Sequence, residues 1–211
     1  MIIALESASS DPSLALADPD GSAFAVDGWT GAGRQASELL PRLEALLASA
    51  HRELGDATAI AVGVGPGSFT GLRVSMSLAK GMAFALGVPL VGVPSLAAWL
   101  EAEPEARAAV ARAGAQDAFV LIRGEVEPRI VPAVELAAIA AGSVIVAPAE
   151  LAAAFALTSV VPPHAAAAAV ARGAAARLAT DPRGDELEGL EPWYLRPPRG
   201  IGTPSEVTTW P

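Results

Sequence analysis

The stretch that decides the fold is Ala59 to Ser95, AIAVGVGPGSFTGLRVSMSLAKGMAFALGVPLVGVPS. It begins with a short apolar run of strand length, Ala59 to Val64, which ends in a glycine-rich turn. A helical pattern follows and stops at Gly87, because glycine is the usual residue just past a helix end. Leu90 to Val93 is a second short apolar run. Since a right-handed crossover joins parallel strands, the stretch predicts one βαβ unit.

The turn Gly65-Pro66-Gly67 allows two interpretations. Glycines before a helix N-terminus expose backbone N–H groups where the helix dipole favours anions, which predicts phosphate binding. The spacing fits neither the dinucleotide fingerprint nor the P-loop, so a tight turn that only closes the βαβ unit is the alternative. Arg73 favours an anion nearby, because a cation in the first helical turn is disfavoured by about 0.3–1 kcal/mol.

The helix that follows the turn has a narrow polar edge. Arg73 and Lys80 lie one heptad apart on the same side, with Ser77 near them. The rest of the circumference is apolar or small, which predicts burial on more than one side. Two interpretations stay open: a helix wholly inside its own domain, or a helix shared with a partner chain. Small residues recur every four positions, at Gly71, Ser75 and Ala79 and again at Ser77, Gly81 and Ala85.

The nine residues from Gly65 to Arg73, GPGSFTGLR, resemble the signature of the TsaB (YeaZ) family. This family supplies a non-catalytic subunit of the machinery that makes threonylcarbamoyladenosine at position 37 of ANN-decoding tRNAs. The resemblance implies an α/β fold of the actin/hexokinase/Hsp70 (ASKHA) kind, with two lobes of mixed sheets flanked by helices. It also implies nucleotide or partner contacts for the signature residues Gly65, Pro66, Gly67, Ser68, Phe69, Thr70, Gly71 and Arg73.

Elsewhere the resemblance is partial. Glu6 stands where the family more often has Asp, Gln35 where it has a His that could bind metal, and Val120 where a second-lobe motif has Asp. We therefore expect no catalytic residue, no metal site and no cofactor held by the chain alone. ATP or ADP is expected only at the interface of a complex. Near the end of the chain, Glu191 to Arg196 resembles the closing P-x-Y-L-R element of the family.

The composition limits the partners and the compartment. The chain carries 14 basic and 23 acidic residues, a net charge of −9, which argues against direct nucleic-acid binding. We therefore expect contact with tRNA only through a partner. The absence of cysteine excludes a disulfide framework. No signal peptide or membrane span is expected, and the predicted location is cytoplasmic.

The element pattern predicts an N-terminal lobe over 1–97 joined by 188–196, a smaller divergent lobe over 98–187, and an extended tail over 197–211. Short strands open the first lobe, and Ser37 is expected to cap a helix whose apolar stripe extends to Leu54. After Pro104, a helical pattern is expected from Glu105 to Arg112. The remaining predicted elements are strands at Ala118–Ile122, Ser143–Ala147 and Ser159–Val161, and helices at Glu135–Ala141, Glu150–Phe155 and Ala165–Ala179.

The expected function is that of a scaffold that binds a TsaD-type catalytic protein in a complex that also contains a TsaE-type ATPase. The same helical face is expected to pair two copies of the chain in a homodimer. The alternative is an enzyme, either an actin-fold small-molecule phosphotransferase or a glycoprotease-like hydrolase. The residues expected at the partner interface are Leu39, Leu40, Leu43, Leu47, Ser75, Ser77, Ala79 and Lys80.

Overall fold

The computed structural model describes residues 1–31 and 34–194. Its first half contains five strands and three helices, with one short 3₁₀ turn at Leu54–Asp56. In chain order these are β1 (Ile2–Glu6), β2 (Ser13–Ala17), β3 (Ala23–Gly28), α1 (Gln35–Ser49), β4 (Ala59–Gly63), α2 (Phe69–Leu86), β5 (Leu90–Val93) and α3 (Ser95–Ala102).

The second half adds five strands and three helices within the described residues. These are β6 (Ala106–Arg112), β7 (Asp117–Ile122), β8 (Arg129–Pro132), α4 (Ala133–Ala140), β9 (Val144–Val146), α5 (Ala149–Ala154), β10 (Val160–Val161) and α6 (Ala166–Leu178). None of the helices that the structure describes combines the length and the apolar character needed to cross a membrane.

The strands form two mixed sheets, one in each lobe. The first sheet has the order β3-β2-β1-β4-β5, with β1, β2 and β3 antiparallel and β1, β4 and β5 parallel. The second sheet has the order β10-β9-β6-β7-β8. Helices cover both sheets, so the expected two-lobed α/β architecture is confirmed. The predicted βαβ unit is β4, α2 and β5, with Ile60 paired to Leu90.

Two helical layers bury the first sheet. On one face, apolar side chains of α1 and α2 pack with Ile3, Leu5 and Leu14 of the strands. On the other face lies α6, whose alanines pack on small strand residues such as Ala4 and Ala61. Because alanine adds little bulk, α6 approaches this face closely. The helix was expected in the second lobe over 98–187, but it packs on the sheet of the first lobe, so the second lobe is smaller than expected.

Several element predictions need correction. Ala106–Arg112 is a strand instead of a helix, because it pairs with β7 on one side and β9 on the other at the centre of the second sheet. Helix α1 begins before Ser37, whose hydroxyl donates to the carbonyl of Arg34. The same helix ends at Ser49, so Leu54 lies in the 3₁₀ turn. Strand β8 was not predicted. The expected tail over 197–211 lies outside the described residues.

Candidate functional site

The signature loop links β4 to α2 and is held by its own chain. Gly65 has a φ of +94°, a conformation that favours glycine, and the Gly65–Pro66 peptide bond is cis. The N–H of Gly65 donates to the Ser95 hydroxyl at 2.9 Å, and the N–H of Ser95 donates back to the Gly65 carbonyl at 3.0 Å. The turn is thereby fixed to the start of α3.

Two other glycines of the signature permit a close approach by the loop after β1. A Cβ on Gly67 would lie 2.2 Å from the carbonyl oxygen of Ala8, and a Cβ on Gly71 would lie 2.1 Å from that of Ser7. Both distances are far below van der Waals contact, so only glycine fits. The Ser7 hydroxyl donates to the Gly71 carbonyl at 2.7 Å. These glycines therefore have a packing role within the chain.

The backbone donors that phosphate binding would need are partly used inside the chain. The N–H of Ser68 donates to the Ala8 carbonyl at 2.6 Å. The Ser68 side chain is the N-cap of α2 and accepts from the N–H of Gly71 at 3.2 Å, while its carbonyl accepts from the N–H of Leu72 at 2.9 Å. This geometry supports the tight-turn interpretation for the isolated chain.

The polar edge of α2 contacts the end of the described chain. We call residues 185–194 the C-terminal strap. The Nε of Arg73 donates to the hydroxyl of Tyr194 at 3.1 Å, and its guanidinium lies 4.1 Å from the centre of the Phe69 ring. Lys80 donates to the carbonyl of Glu188 at 3.5 Å. The positive charge of Arg73 near the helix N-terminus thus has an aromatic partner and a hydroxyl acceptor.

The strap is fixed along the edge of the first sheet. The N–H of Asp185 donates to the Leu90 carbonyl at 2.7 Å, and its carboxylate accepts from the N–H of Gly92 at 2.7 Å. Further along, the N–H of Trp193 donates to the carbonyl of Val64 at 2.7 Å. The strap therefore contacts the first lobe. The last two residues of the predicted joining segment 188–196 lie outside the described residues.

The expected partner-interface residues divide into two groups. Five of them, Leu39, Leu43, Leu47, Ser75 and Ala79, are buried in the chain's own core. Leu40, at 45% exposure, and Ser77 lie at the surface, and Lys80 is half-buried. The apolar face of α1 was expected to dock on a partner, but most of it packs on the chain's own sheet.

The surface that remains is a groove between α1 and α2, which we call the α1–α2 groove. It has a volume of about 440 Å³ and is lined by Ala36, Leu39, Leu40, Arg73, Val74, Ser77 and Leu78. About two turns further along α2, the same side of the helix continues to Phe84, whose side chain is 79% exposed. Phe69, at 38%, stands at the other end. This face, which we call the apolar patch, therefore carries the exposed apolar side chains Leu40, Phe69 and Phe84 beside the polar edge of α2.

Glu6 is buried at the carboxyl end of β1. Its Oε1 accepts from the N–H of Ala8 at 2.7 Å. A Cβ on Gly63 would lie only 1.9 Å from Oε2, so this carboxylate packs directly against the glycine. Burial raises the pKa of the Glu6 carboxyl to about 7, partly offset by the Ala8 N–H and by the nearby Ser95 hydroxyl and Trp99 indole. Neither side chain reaches hydrogen-bonding geometry with Oε2, which leaves burial dominant.

A second buried carboxylate joins the two lobes, and sequence reasoning missed it. Asp11 accepts from the Thr30 hydroxyl at 2.5 Å and lies 3.2 Å from Nε2 of His164, at the start of α6. The N–H of Ala149, at the start of α5, donates to Asp11 at 3.3 Å. Ser10 donates to Glu150 in the same cluster. A polar turn between two strands was the only signal in the sequence.

Another cavity lies away from the signature loop. It has a volume of about 780 Å³ beside the start of β5, and its lining includes Arg177, Asp181, Arg183 and Asp185. These charges pair with one another, Arg177 with Asp185 at 2.7 Å and Arg183 with Asp181 at 3.2 Å. Among the residues that the structure describes, no group of three or more histidine or acidic side chains is arranged to hold a metal ion.

Residues 31–171, more than half of the chain, match the family described as TsaD: tRNA N6-adenosine threonylcarbamoyltransferase. The chain belongs to this TsaD family. Within it, the resemblance to TsaB (YeaZ) is confirmed by named relatives. The TsaB protein of Escherichia coli, whose printed name is tRNA threonylcarbamoyladenosine biosynthesis protein, is 40% identical over 58 residues, 28% of this chain and 25% of that protein.

The chain is also similar to a further protein sequence and to a solved structure. An uncharacterized protein of Mycobacterium tuberculosis is 48% identical over 61 residues, which cover 29% of each chain. The structure of YeaZ from Pseudomonas aeruginosa superposes with a TM-score of 0.66 at 24% identity, over 92% of this chain and 99% of that one. The sequence matches span less than a third of the curated relatives' length, whereas the fold agrees over almost the whole chain.

Proposed function

We propose that this chain is a non-catalytic subunit that binds a TsaD-type catalytic protein in the synthesis of threonylcarbamoyladenosine at position 37 of ANN-decoding tRNAs. The observation that carries the proposal is the apolar patch around the α1–α2 groove, where Leu40, Phe69 and Phe84 are exposed on neighbouring helices. Large exposed apolar side chains grouped around a groove are typical of protein–protein contact sites. We infer the partner, a TsaD-type protein, from the similarity to relatives named TsaB.

The placement of the acidic residues supports a role in binding over a role in catalysis. A phosphotransferase needs carboxylates that face an open cleft, where they orient magnesium and the attacking group. Glu6 is 1% exposed and Asp11 is 0% exposed, and their partners lie within the chain. Magnesium-dependent turnover of ATP by the isolated chain would favour the alternative, a phosphotransferase, and zinc-dependent peptide hydrolysis would favour a glycoprotease-like hydrolase.

The nucleotide and the other partners belong to the same proposal. We place any ATP or ADP at the interface with the TsaD-type protein, because Ser68, Gly71 and Leu72 already use their N–H groups within the chain. A TsaE-type ATPase joins the same complex, and tRNA meets this chain only indirectly, in keeping with the net charge of −9. Without the partner, two copies would pair through the patch.

The test compares two exposed apolar residues on different helices. Phe84→Glu adds a charge to the patch on α2, and Val134→Glu adds the same charge to α4, where Val134 is 85% exposed. Binding to the TsaD-type protein is measured by calorimetry, and assembly by size-exclusion chromatography with light scattering. We expect Phe84→Glu to weaken binding at least thirtyfold, the loss typical of an aromatic residue that contributes strongly to an interface, whereas Val134→Glu leaves binding unchanged.

Equal affinity of the Phe84→Glu and wild-type chains would contradict the assignment of this face. An absence of any complex between the wild-type chain and the TsaD-type protein would contradict the proposed function itself. Circular dichroism of each variant checks that the fold is retained, which is expected because both side chains are exposed in the described structure.

A further inference from the structure

The Glu6 carboxyl lies between two attachments of the signature loop. Its Oε1 accepts from the N–H of Ala8, whose carbonyl in turn accepts from the N–H of Ser68 at 2.6 Å. On the other side stands Ser95, which exchanges two hydrogen bonds with Gly65 through its hydroxyl and its N–H. A displacement of either attachment therefore moves the loop.

Two buried polar atoms at this place have no hydrogen-bond partner within the described residues. They are an acceptor, Oε2 of Glu6, and a donor, Nε1 of Trp99. The Ser95 hydroxyl is a second donor, because it accepts from the N–H of Gly65 and keeps its own hydrogen. Oε2 and the Ser95 hydroxyl oxygen lie 1.9 Å and 2.7 Å from the position of a Cβ on Gly63, so they face the same space. The geometry thus holds two donors in reserve beside one free acceptor.

The surroundings of the carboxyl are polar but uncharged. Ser13 of β2 pairs with Glu6 across the sheet, and its hydroxyl accepts from the first turn of α6. Gly63 of β4 lies against Oε2, and Ser95 and Trp99 face the carboxyl from α3. None of these neighbours carries a charge or titrates near neutral pH. A negative charge on Glu6 therefore depends on hydrogen-bond donors for its stabilisation.

We propose that Glu6 is a proton-operated switch of the signature loop: when it ionises, the Ser95 hydroxyl and the Trp99 indole N–H move onto Oε2, and the loop and α3 move with them. The driving force is that a buried negative charge is far more costly without donors than a protonated carboxyl is. The loop follows because Ser95 is bonded to Gly65 at two points. Burial raises the pKa of the Glu6 carboxyl to about 7, so both forms are populated at neutral pH.

The switch reaches two parts of the fold. The signature loop leads into the first turn of α2, which carries Phe69 and Arg73 at one end of the apolar patch. Trp99 is fully buried in a cluster that also contains Phe119 of the second sheet. Ionisation of Glu6 therefore changes the position of this end of the patch relative to the second lobe. The switch is a property of the isolated chain and does not depend on the proposed function.

Nuclear magnetic resonance of the full chain tests the switch between pH 5 and pH 9. Three signals are followed: the side-chain carboxyl carbon of Glu6, the indole N–H of Trp99 and the amide N–H of Gly65. The sequence has four tryptophans, so the Trp99 signal is assigned by its absence from the spectrum of Trp99→Phe. We expect the three signals to shift with one common midpoint near pH 7, and the indole proton to move downfield as it bonds to the carboxylate.

Glu6→Gln should abolish the shifts at Trp99 and Gly65, because the amide does not titrate. Glu127→Gln, which changes an exposed carboxyl in the second lobe, should leave them as in wild type. Shifts that persist in Glu6→Gln would assign the transition to another group and overturn the proposal. Different midpoints for the three signals in the wild-type chain would overturn it without any variant. A Gly65 signal that stays constant while Trp99 shifts would also overturn it, since the loop would not follow the carboxyl.

Discussion

The buried carboxyl of Glu6 provides a quantitative test of the structure. Its pKa rises from the ordinary value of 4.5 to about 7, chiefly because burial disfavours the charged form. The folded chain therefore binds the Glu6 proton more tightly than the unfolded chain does. The protonated carboxyl contributes its full stabilisation of the folded state below pH 4.5, and this contribution is lost as the pH rises through 7. At about 1.4 kcal/mol per pKa unit, the loss is about 3 kcal/mol.

Glu6→Gln keeps the shape of the side chain and removes the charge. The amide oxygen can still accept from the N–H of Ala8, and the amide nitrogen lies near the Ser95 hydroxyl. We expect the variant to be more stable than wild type by up to about 3 kcal/mol at pH 8 and to have similar stability at pH 5. Urea unfolding, followed by circular dichroism at several pH values, measures the difference in the free energy of unfolding.

The matched control is Glu127→Gln, because Glu127 is an exposed carboxyl in the turn before β8. This variant should follow the wild-type stability across the same pH range. If the free energies of unfolding of Glu6→Gln and wild type change in parallel from pH 5 to pH 8, the Glu6 carboxyl has the same pKa in the folded and unfolded chains. That result would refute the raised pKa of Glu6.

Two further predictions concern the contacts that hold the site together. Gly71→Ala should lower the free energy of unfolding by more than ~2 kcal/mol, because its Cβ would lie 2.1 Å from the Ser7 carbonyl oxygen. Gly81→Ala on the same helix should instead raise the free energy of unfolding by about 0.5–1 kcal/mol, because an added Cβ there meets nothing within 4 Å. Equal effects of the two substitutions in thermal unfolding would contradict the close approach. Asp11→Ala should lower the free energy of unfolding in urea by about 3 kcal/mol, because it removes a buried acceptor that joins the lobes through His164. A decrease below ~0.5 kcal/mol would show that this contact between the lobes is unimportant for stability.

The βαβ unit could be predicted because its signals are local. Gly87 has a φ of +64°, so the residue that ends α2 is the one that the backbone requires there. The glycine-rich turn likewise separates two strands that pair in parallel, with Ile60 opposite Leu90. Strand β6 was mispredicted because its alanines and arginines favour a helix in isolation. Pairing with two neighbouring strands outweighs that preference, and no local pattern reports it.

The candidate site was predicted less completely than the fold. The signature predicted that Gly67 and Gly71 matter, but not that they matter because the backbone of Ser7 and Ala8 lies against them. The partner of Arg73 was expected to be an anion, and the structure supplies Tyr194, which lies 121 positions further along the chain. Contacts at such a separation leave no periodic trace in a sequence.

By itself, the sequence determined the family through the GPGSFTGLR signature, and that resemblance implied the two-lobed α/β class. The sequence also determined the importance of the signature loop, because glycine, proline and cap residues act on the backbone within a few positions. Only the tertiary structure decided which apolar residues remain on the surface. Leu39, Leu40 and Leu43 are alike in the sequence, yet two are buried and Leu40 is 45% exposed. The packing of α1 and α2 on one sheet makes that division, and it leaves the groove on which the proposed function depends.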